Sequence, residues 1–198
     1  FRYPISMSFK DQSNFLSFRM KRMNLFAVKA LMARAYLYVG DKENAKKYAL
    51  EVVNATKKGE NTLFKLATSN TSDYILSSEL IFAINVFKFK DTVTEAFTLP
   101  RGSFVVKSTQ RIDELFNTHV DGRNDFRVAE GKGFDYSSAG AVTKKYTQER
   151  LFSICVSESI PLIRLAEMYL ILAECSDEMR TSADWLSQLR TARGTTPI

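Results

Sequence analysis

The segment Pro161–Cys175, PLIRLAEMYLILAEC, limits this chain more than any other stretch. Leu162, Leu165, Ala166, Tyr169, Leu170 and Ala173 fall on one face at the helical period of about 3.6 residues. Ile163, Ile171, Leu172 and Cys175 extend the apolar surface around most of the circumference, leaving Arg164, Glu167 and Glu174 as a narrow polar strip. A helix apolar almost all round is normally central and covered on several sides. Ser159 is placed to cap it, and Pro161 fits a first turn, where its missing N–H has no partner to lose. The segment is too short and too charged to span a bilayer.

Two further helices stand out near the start. Asn24–Val39 is periodic, with Val28, Leu31, Ala35 and Tyr38 as the expected inward stripe, widened by Ala27 and Met32. Gly40 suits the left-handed stop of that helix, and Asp41 suits the cap of the next, Lys42–Thr56, with Ala45, Tyr48, Ala49 and Val52 as its face. The short turn makes the two an antiparallel hairpin. Further on, Leu80–Phe87 reads as a strand, Thr109–Phe116 as a short helix with Ile112, Leu115 and Phe116 inward, Gly131–Gly140 as a loose loop, and Val142–Tyr146 as a strand. Leu63–Leu66 reads as a brief extended piece, and Lys88–Val105 has no helical period. Ser182–Arg193 forms the last helix, with Leu186, Leu189 and Ala192 inward, stopped by Gly194 and Pro197.

The hairpin pattern repeats. Ala33-x-x-Tyr36-Leu37 returns as Ala166-x-x-Tyr169-Leu170, and each helix is followed by one with an early alanine, Ala45 and Ala183. Small residues let two helices approach closely while Tyr fills the neighbour's groove. Ala33, Tyr36, Gly40 and Ala45 stand at the spacing of a tetratricopeptide repeat. The organisation expected is one domain over 1–198: a helical repeat at 24–56, an irregular insertion at 57–158 and a second repeat at 159–194. The fold class is mainly α, tetratricopeptide-like hairpins with a long irregular insertion and a few short strands.

Totals narrow the function. Of 198 residues, 28 are Lys or Arg and 22 Asp or Glu, a net +6 that is dispersed and includes no basic arm for nucleic acid. Cys155 and Cys175 lack metal-ligand spacing; two buried thiols are the simpler reading and a disulfide the alternative. His119 beside Asp121 has no nucleophile elbow to serve. Asp121, Asn124 and Asp125 lack a full calcium loop, and an Asx turn or a pair of Asp with Arg123 or Arg127 is the simpler reading. No phosphate loop, dinucleotide fingerprint or zinc spacing occurs. Arg164 and Glu167, three apart, are expected to pair with each other. No cofactor and no catalytic residue is assigned. The opening at Phe1, without Met or leader, reads as a piece of a longer protein.

The chain resembles the SusD/RagB family of outer-membrane lipoproteins. The carrying stretches, in the family's order, are AVKALMARAYLYVGDKENAKKYALEVV from Ala27, SSELIFAI from Ser77, IDELFNTHVDGRNDFR from Ile112, IPLIRLAEMYLILAEC from Ile160 and LSQLRTARG from Leu186. The resemblance implies a non-enzymatic, cell-surface glycan-binding subunit at the outer membrane. Its partners would be an oligosaccharide or other nutrient and a TonB-dependent transporter, and it would meet the membrane only through a lipid anchor that this chain does not contain. For sugar binding, aromatic faces stack on pyranose C–H surfaces beside carboxylate, amide or Arg groups, usually on loops held by a rigid scaffold. Phe97 with Arg101, and Phe134, Asp135 and Tyr136, have that composition. The competing reading is that these aromatics turn inward to pin the insertion. A tetratricopeptide scaffold for protein interaction is the alternative function.

Overall fold

The computed structural model describes residues 22–55, 62–68, 73–86, 88–89, 91, 93, 105–106, 109–116, 124–128, 133–137, 140–146 and 159–198. Five helices and five short strands are found among them: α1 (Leu25–Tyr38), α2 (Lys42–Val53), β1 (Leu80–Asn85), β2 (Val105–Val106), α3 (Thr109–Phe116), β3 (Phe134–Ser137), β4 (Gly140–Thr143), β5 (Ser159–Arg164), α4 (Leu165–Glu174) and α5 (Met179–Ala192). The fold is mainly helical. Two compact units are distinguished, one formed by the chain up to Lys65 with Glu79–Ile84 and Ile160–Ser182, the other by Leu66–Ser78, Asn85–Ser159 and Ala183–Ile198.

The first unit is a three-helix packing of α1, α2 and α4 with the two-stranded sheet of β1 and β5. Local signals set the hairpin's ends. The Asn24 side chain accepts from the Phe26 and Ala27 N–H groups, and Asp41 accepts from the Asn44 N–H. Between the helices Gly40 lies at φ +83°, with its N–H on the Leu37 carbonyl and the Asp41 N–H on the Tyr36 carbonyl. That pairing is a Schellman stop. Ala33 and Ala45 are completely buried where the helices meet. Tyr36 stacks on Tyr48, centroids 5.6 Å apart and 7° from parallel. The small–aromatic–Gly–Ala spacing thus closes a tightly packed antiparallel hairpin.

The buried face of α1 is not the expected one. Ala27, Ala30 and Ala33 are inside, whereas Val28, Leu31 and Ala35 are exposed and Tyr38 is 91 % exposed. Alanines three apart allow the backbones of α1 and α2 to come close, which bulky residues on that face would prevent. The consequence is an apolar stripe of Leu25, Val28, Leu31, Tyr38 and Val39 along the outer side of α1.

The central helix is shorter than expected. Ser159–Arg164 is a strand and the helix begins at Leu165, so Ser159 is no cap and Pro161 sits in β5. Proline biases Ile160 toward extended backbone and cannot donate to a ladder, which a two-stranded sheet tolerates because each strand has an open edge. Arg164 holds the cap position in extended geometry without a side-chain cap bond. Within α4, Leu165, Met168, Ile171, Leu172 and Ala173 are buried, while Leu170 and, in β5, Leu162 are exposed. The Glu167 carboxylate does not pair with Arg164 as its principal partner. It takes Arg34 from α1 in a fork, Nε to Oε1 at 2.6 Å and a terminal nitrogen to Oε2 at 2.7 Å, while that nitrogen also donates to the Leu162 carbonyl at 3.0 Å. Cys175 is a free, buried thiol whose pKa burial pushes up; Cys155 lies outside the described residues.

The second unit holds the three-stranded antiparallel sheet β2–β4–β3. Its registers pair Val105 with Val142, and Phe134 with Thr143. Gly131–Gly140 is therefore not all loop: Phe134–Ser137 pairs with β4, which ends at Thr143 and does not run on to Tyr146. In α3, Ile112 is buried but Leu115 is largely exposed. Phe89, Asp91 and Val93 are helical, inside a span expected to lack helix. β1 stops at Asn85, two residues before Phe87. α5 starts at Met179, three residues before Ser182, and buries no residue fully.

The end of α5 is tied to Asn124–Arg127. Gly194, at φ +83°, closes a second Schellman stop through the Gly194 N–H on Thr191 and the Thr195 N–H on Arg190. Arg193 is buried, donates to the Ala67 carbonyl at 3.3 Å, lies over the Phe126 ring and accepts the Phe126 N–H at its own carbonyl. Ala67, Leu76 and Phe126 form a small core there. Asp125 is buried and takes Arg127 through both side chain and backbone, the Asp–Arg pair expected from the sequence.

Candidate functional site

Of the sequence candidates, Phe97 and Arg101 lie outside the described residues. Phe134, Asp135 and Tyr136 are consecutive in β3, and a strand sends alternate side chains to opposite faces. Phe134 and Tyr136 share one face, half-buried against the core of Ile112, Val128 and Ala141. Phe134 meets Phe116 edge-on at 6.3 Å, and the Tyr136 hydroxyl donates to the Val128 carbonyl at 2.8 Å. Arg127 lies 5.2 Å over the Phe116 ring from Asp125, so the aromatic layer is bracketed by an ion pair.

Asp135 is exposed and points to the other face. There it meets Lys144, whose ammonium is 3.3 Å from Oδ1 and 5.1 Å over the Tyr74 ring. Burial by itself lowers the Lys144 pKa. Its hydrogen bonds to Asp135 and Tyr74, with their charges, outweigh that and leave it raised. The ammonium is thus a fixed cation between a carboxylate and an aromatic ring. Sequence reading missed Tyr74 and Lys144, since 61 residues separate Asp135 from Tyr74 and nothing local joins them.

The chain reaches this arrangement through a strained turn. Asp73 accepts the Ile75 N–H at 3.2 Å and the Ser77 N–H at 2.6 Å, an Asx-type turn that carries Tyr74. Leu76, inside it, is at φ +58° and buried. A branched aliphatic residue there costs on the order of 1–3 kcal/mol and persists only where neighbours force it. On the β3–β4 side, the Lys144 N–H bonds the Gly133 carbonyl at 2.9 Å. A Cβ on Gly133 would lie 1.5 Å from the Arg127 carbonyl oxygen, so only glycine fits.

Chemically the group offers an aromatic ring, a carboxylate acceptor and an ammonium donor at a partly open surface. Hydroxyl-rich ligands are bound by such sets. Among the described residues no group of three or more His, Cys, Asp or Glu is placed to hold a metal ion. None of the described helices is long and apolar enough to cross a membrane.

No family model matches the sequence, and no curated protein matches it significantly. Solved structures do. A SusD-like carbohydrate binding protein from Bacteroides vulgatus superposes over 90 % of this chain at TM-score 0.60 and 20 % identity. The chain has a SusD-like fold. A SusD superfamily protein from Parabacteroides distasonis gives TM-score 0.61 over 90 % of the chain at 18 % identity, and one from Bacteroides thetaiotaomicron gives 0.55 over 87 % at 18 %. The chain spans 39 %, 46 % and 42 % of those three structures, in that order. In this chain the hairpin of α1 and α2 and helix α4, with the strand that leads into it, lie in a single compact unit.

Proposed function

We propose that this chain belongs to a non-enzymatic glycan-binding subunit. It captures oligosaccharide at the outer-membrane surface and passes it to a TonB-dependent transporter, the parent protein being held by a lipid anchor. The observation that carries the reading is the SusD-like fold, shared with a protein described as carbohydrate binding. The cluster of Tyr74, Lys144 and Asp135 supports it, because a ring with a carboxylate and an ammonium beside it suits a sugar's C–H face and hydroxyls. In this reading Phe134 and Tyr136 anchor β3 from behind while Asp135 meets the ligand. Phe97 and Arg101 remain ligand-contact candidates from the insertion. Handover to a transporter favours modest affinity, and an open surface site serves that better than a deep pocket.

The test is a glycan array followed by calorimetry on the chain, with Asp135→Ala and Tyr74→Ala. Loss of glycan binding in both variants, at unchanged unfolding midpoints, supports the site; Phe97→Ala and Arg101→Ala go through the same assay. No binding to any glycan, together with tight peptide binding, overturns the reading. A second reading, a scaffold for protein interaction, is favoured by one observation, the exposed apolar stripe of α1. Peptide capture abolished by Leu31→Asp would select it.

A further inference from the structure

The cation–aromatic contacts among the described residues separate into groups. Lys29 over Phe26, Arg127 over Phe116 and Lys144 over Tyr74 each have a carboxylate as second partner, Glu51, Asp125 and Asp135 respectively. Arg193 has the Ala67 carbonyl instead. Lys47 over Tyr48 feels the charge of Glu51 one turn on and is exposed, so water solvates it. Lys145 is different. It is half-buried, its ammonium sits 4.9 Å above the Tyr146 ring, and among the described residues no carboxylate reaches it. Its backbone N–H is fixed on the Thr143 hydroxyl at 3.3 Å, at the end of β4.

Tyr146 is itself held. The Phe89 ring meets it edge-on, 5.5 Å between centroids and 85° between planes. Phe89 is presented by a turn in which Lys88 takes φ +55°, closed by the Phe89 N–H on Val86 and the Asp91 N–H on Lys88. A non-glycine residue in that region is strained by about 1–3 kcal/mol, and such strain gathers at ligand sites. Two rings meet at right angles, and a cation that no carboxylate among the described residues reaches stands on them. Partial desolvation of an ammonium is unfavourable unless an anion or strong acceptor completes it. The adjacent Lys144 is already paired with Asp135, which leaves Lys145 as the cation open to an anion, and the chain as a whole carries +6.

We propose that the glycan taken by this chain is acidic, and that the Lys145 ammonium above Tyr146 receives its carboxylate or sulfate while the Phe89–Tyr146 corner receives the sugar ring. The inference rests on the glycan-binding reading and narrows its substrate class. A charge-assisted hydrogen bond directed at the anionic group is stronger than one to a neutral hydroxyl. The acid therefore decides which sugars are retained, and the aromatic corner alone does not discriminate among them.

The experiment is calorimetry with three probes at low and at physiological salt: an oligogalacturonate for carboxylate, a sulfated galactan oligosaccharide for sulfate, and a neutral cello-oligosaccharide. At least one acidic probe is expected to bind about tenfold tighter than the neutral one, with affinity falling as salt is added. Lys145→Met, which keeps the aliphatic contact with Tyr146, is expected to weaken the acidic probe about fivefold to tenfold and leave the neutral one unchanged. Lys145→Arg is expected to retain binding, and whichever acidic probe responds assigns carboxylate or sulfate. Lys145→Gln and the salt dependence of the unsubstituted chain carry the test if the Met variant does not fold. Equal affinity for neutral and acidic probes, or indifference of the acidic probe to Lys145→Met, overturns this inference while leaving glycan binding intact. Absence of binding to every probe and to the wider array overturns both.

Discussion

Gly40 and Gly194 offer a controlled pair of substitutions. Both close a Schellman stop at the same φ, +83°. They differ in what a side chain would meet. A Cβ on Gly40 finds nothing within 4 Å, whereas one on Gly194 would lie 2.5 Å from the Asn124 carbonyl oxygen. Gly40→Ala therefore costs only the left-handed backbone term, about 1–2 kcal/mol. Gly194→Ala adds a collision with backbone. Relieving it means moving Asn124, and the adjacent Phe126 N–H bond to Arg193 at 3.2 Å and the Arg193 bond to Ala67 at 3.3 Å are disturbed with it. At about 1 kcal/mol for each hydrogen bond the total reaches about 3–4 kcal/mol. Urea unfolding followed by circular dichroism reads both variants. Trp185 is the only tryptophan and lies on α5, so its fluorescence follows the Gly194 end directly. If Gly194→Ala loses no more stability than Gly40→Ala, the docking of α5 onto Asn124–Arg127 is not as described.

Three further outcomes are expected. Arg34→Lys replaces a fork by a point charge, and since that side chain is 44 % exposed the loss in chemical denaturation is expected to be about 1 kcal/mol or less, shrinking with added salt; a loss above about 2 kcal/mol in high salt contradicts a screened pair. Asp73→Ala removes the acceptor for Ile75 and Ser77 and leaves Leu76 strained, with an expected cost of about 2 kcal/mol and faster amide exchange at both N–H groups; unchanged exchange contradicts it. The Asn44 hydrogen bonds lower the Asp41 pKa and the Lys29 hydrogen bond lowers that of Glu51, so each stabilises the fold fully above the ordinary carboxylate range and stops doing so as pH falls through its depressed folded value. Helicity measured from pH 5 down to pH 2 should fall less in Asp41→Asn plus Glu51→Gln than in the unsubstituted chain.

Some helix ends were legible because their signals are local. Gly40-Asp41 between α1 and α2 and Gly194 after α5 each act through bonds within a few residues, whereas the starts of α4 and α5 carried no such signal. The first hairpin was legible for the same reason, since Ala33, Tyr36, Gly40 and Ala45 lie within it. The placement of the candidate residues was only partly legible. Asp135 is at the surface, but it reaches an aromatic ring only through Lys144, which lies over Tyr74, and its sequence neighbours Phe134 and Tyr136 face the opposite way. Composition put three promising residues together, and the period of two in a strand divided them. The loop reading of 131–140 failed because FDYS is too short for alternation to stand out against the glycines around it.

By itself the sequence determined where the first helix pair turns and that α4 would be nearly apolar all round. Only tertiary structure decided which side of α1 is covered, that Ser159–Arg164 pairs with Leu80–Asn85 as a strand, and that Glu167 takes Arg34 from 133 residues away. The physical reason is range. Capping groups and steric limits at glycine act over a turn of backbone, whereas an apolar face or a carboxylate accepts many partners and is assigned one only when distant segments meet.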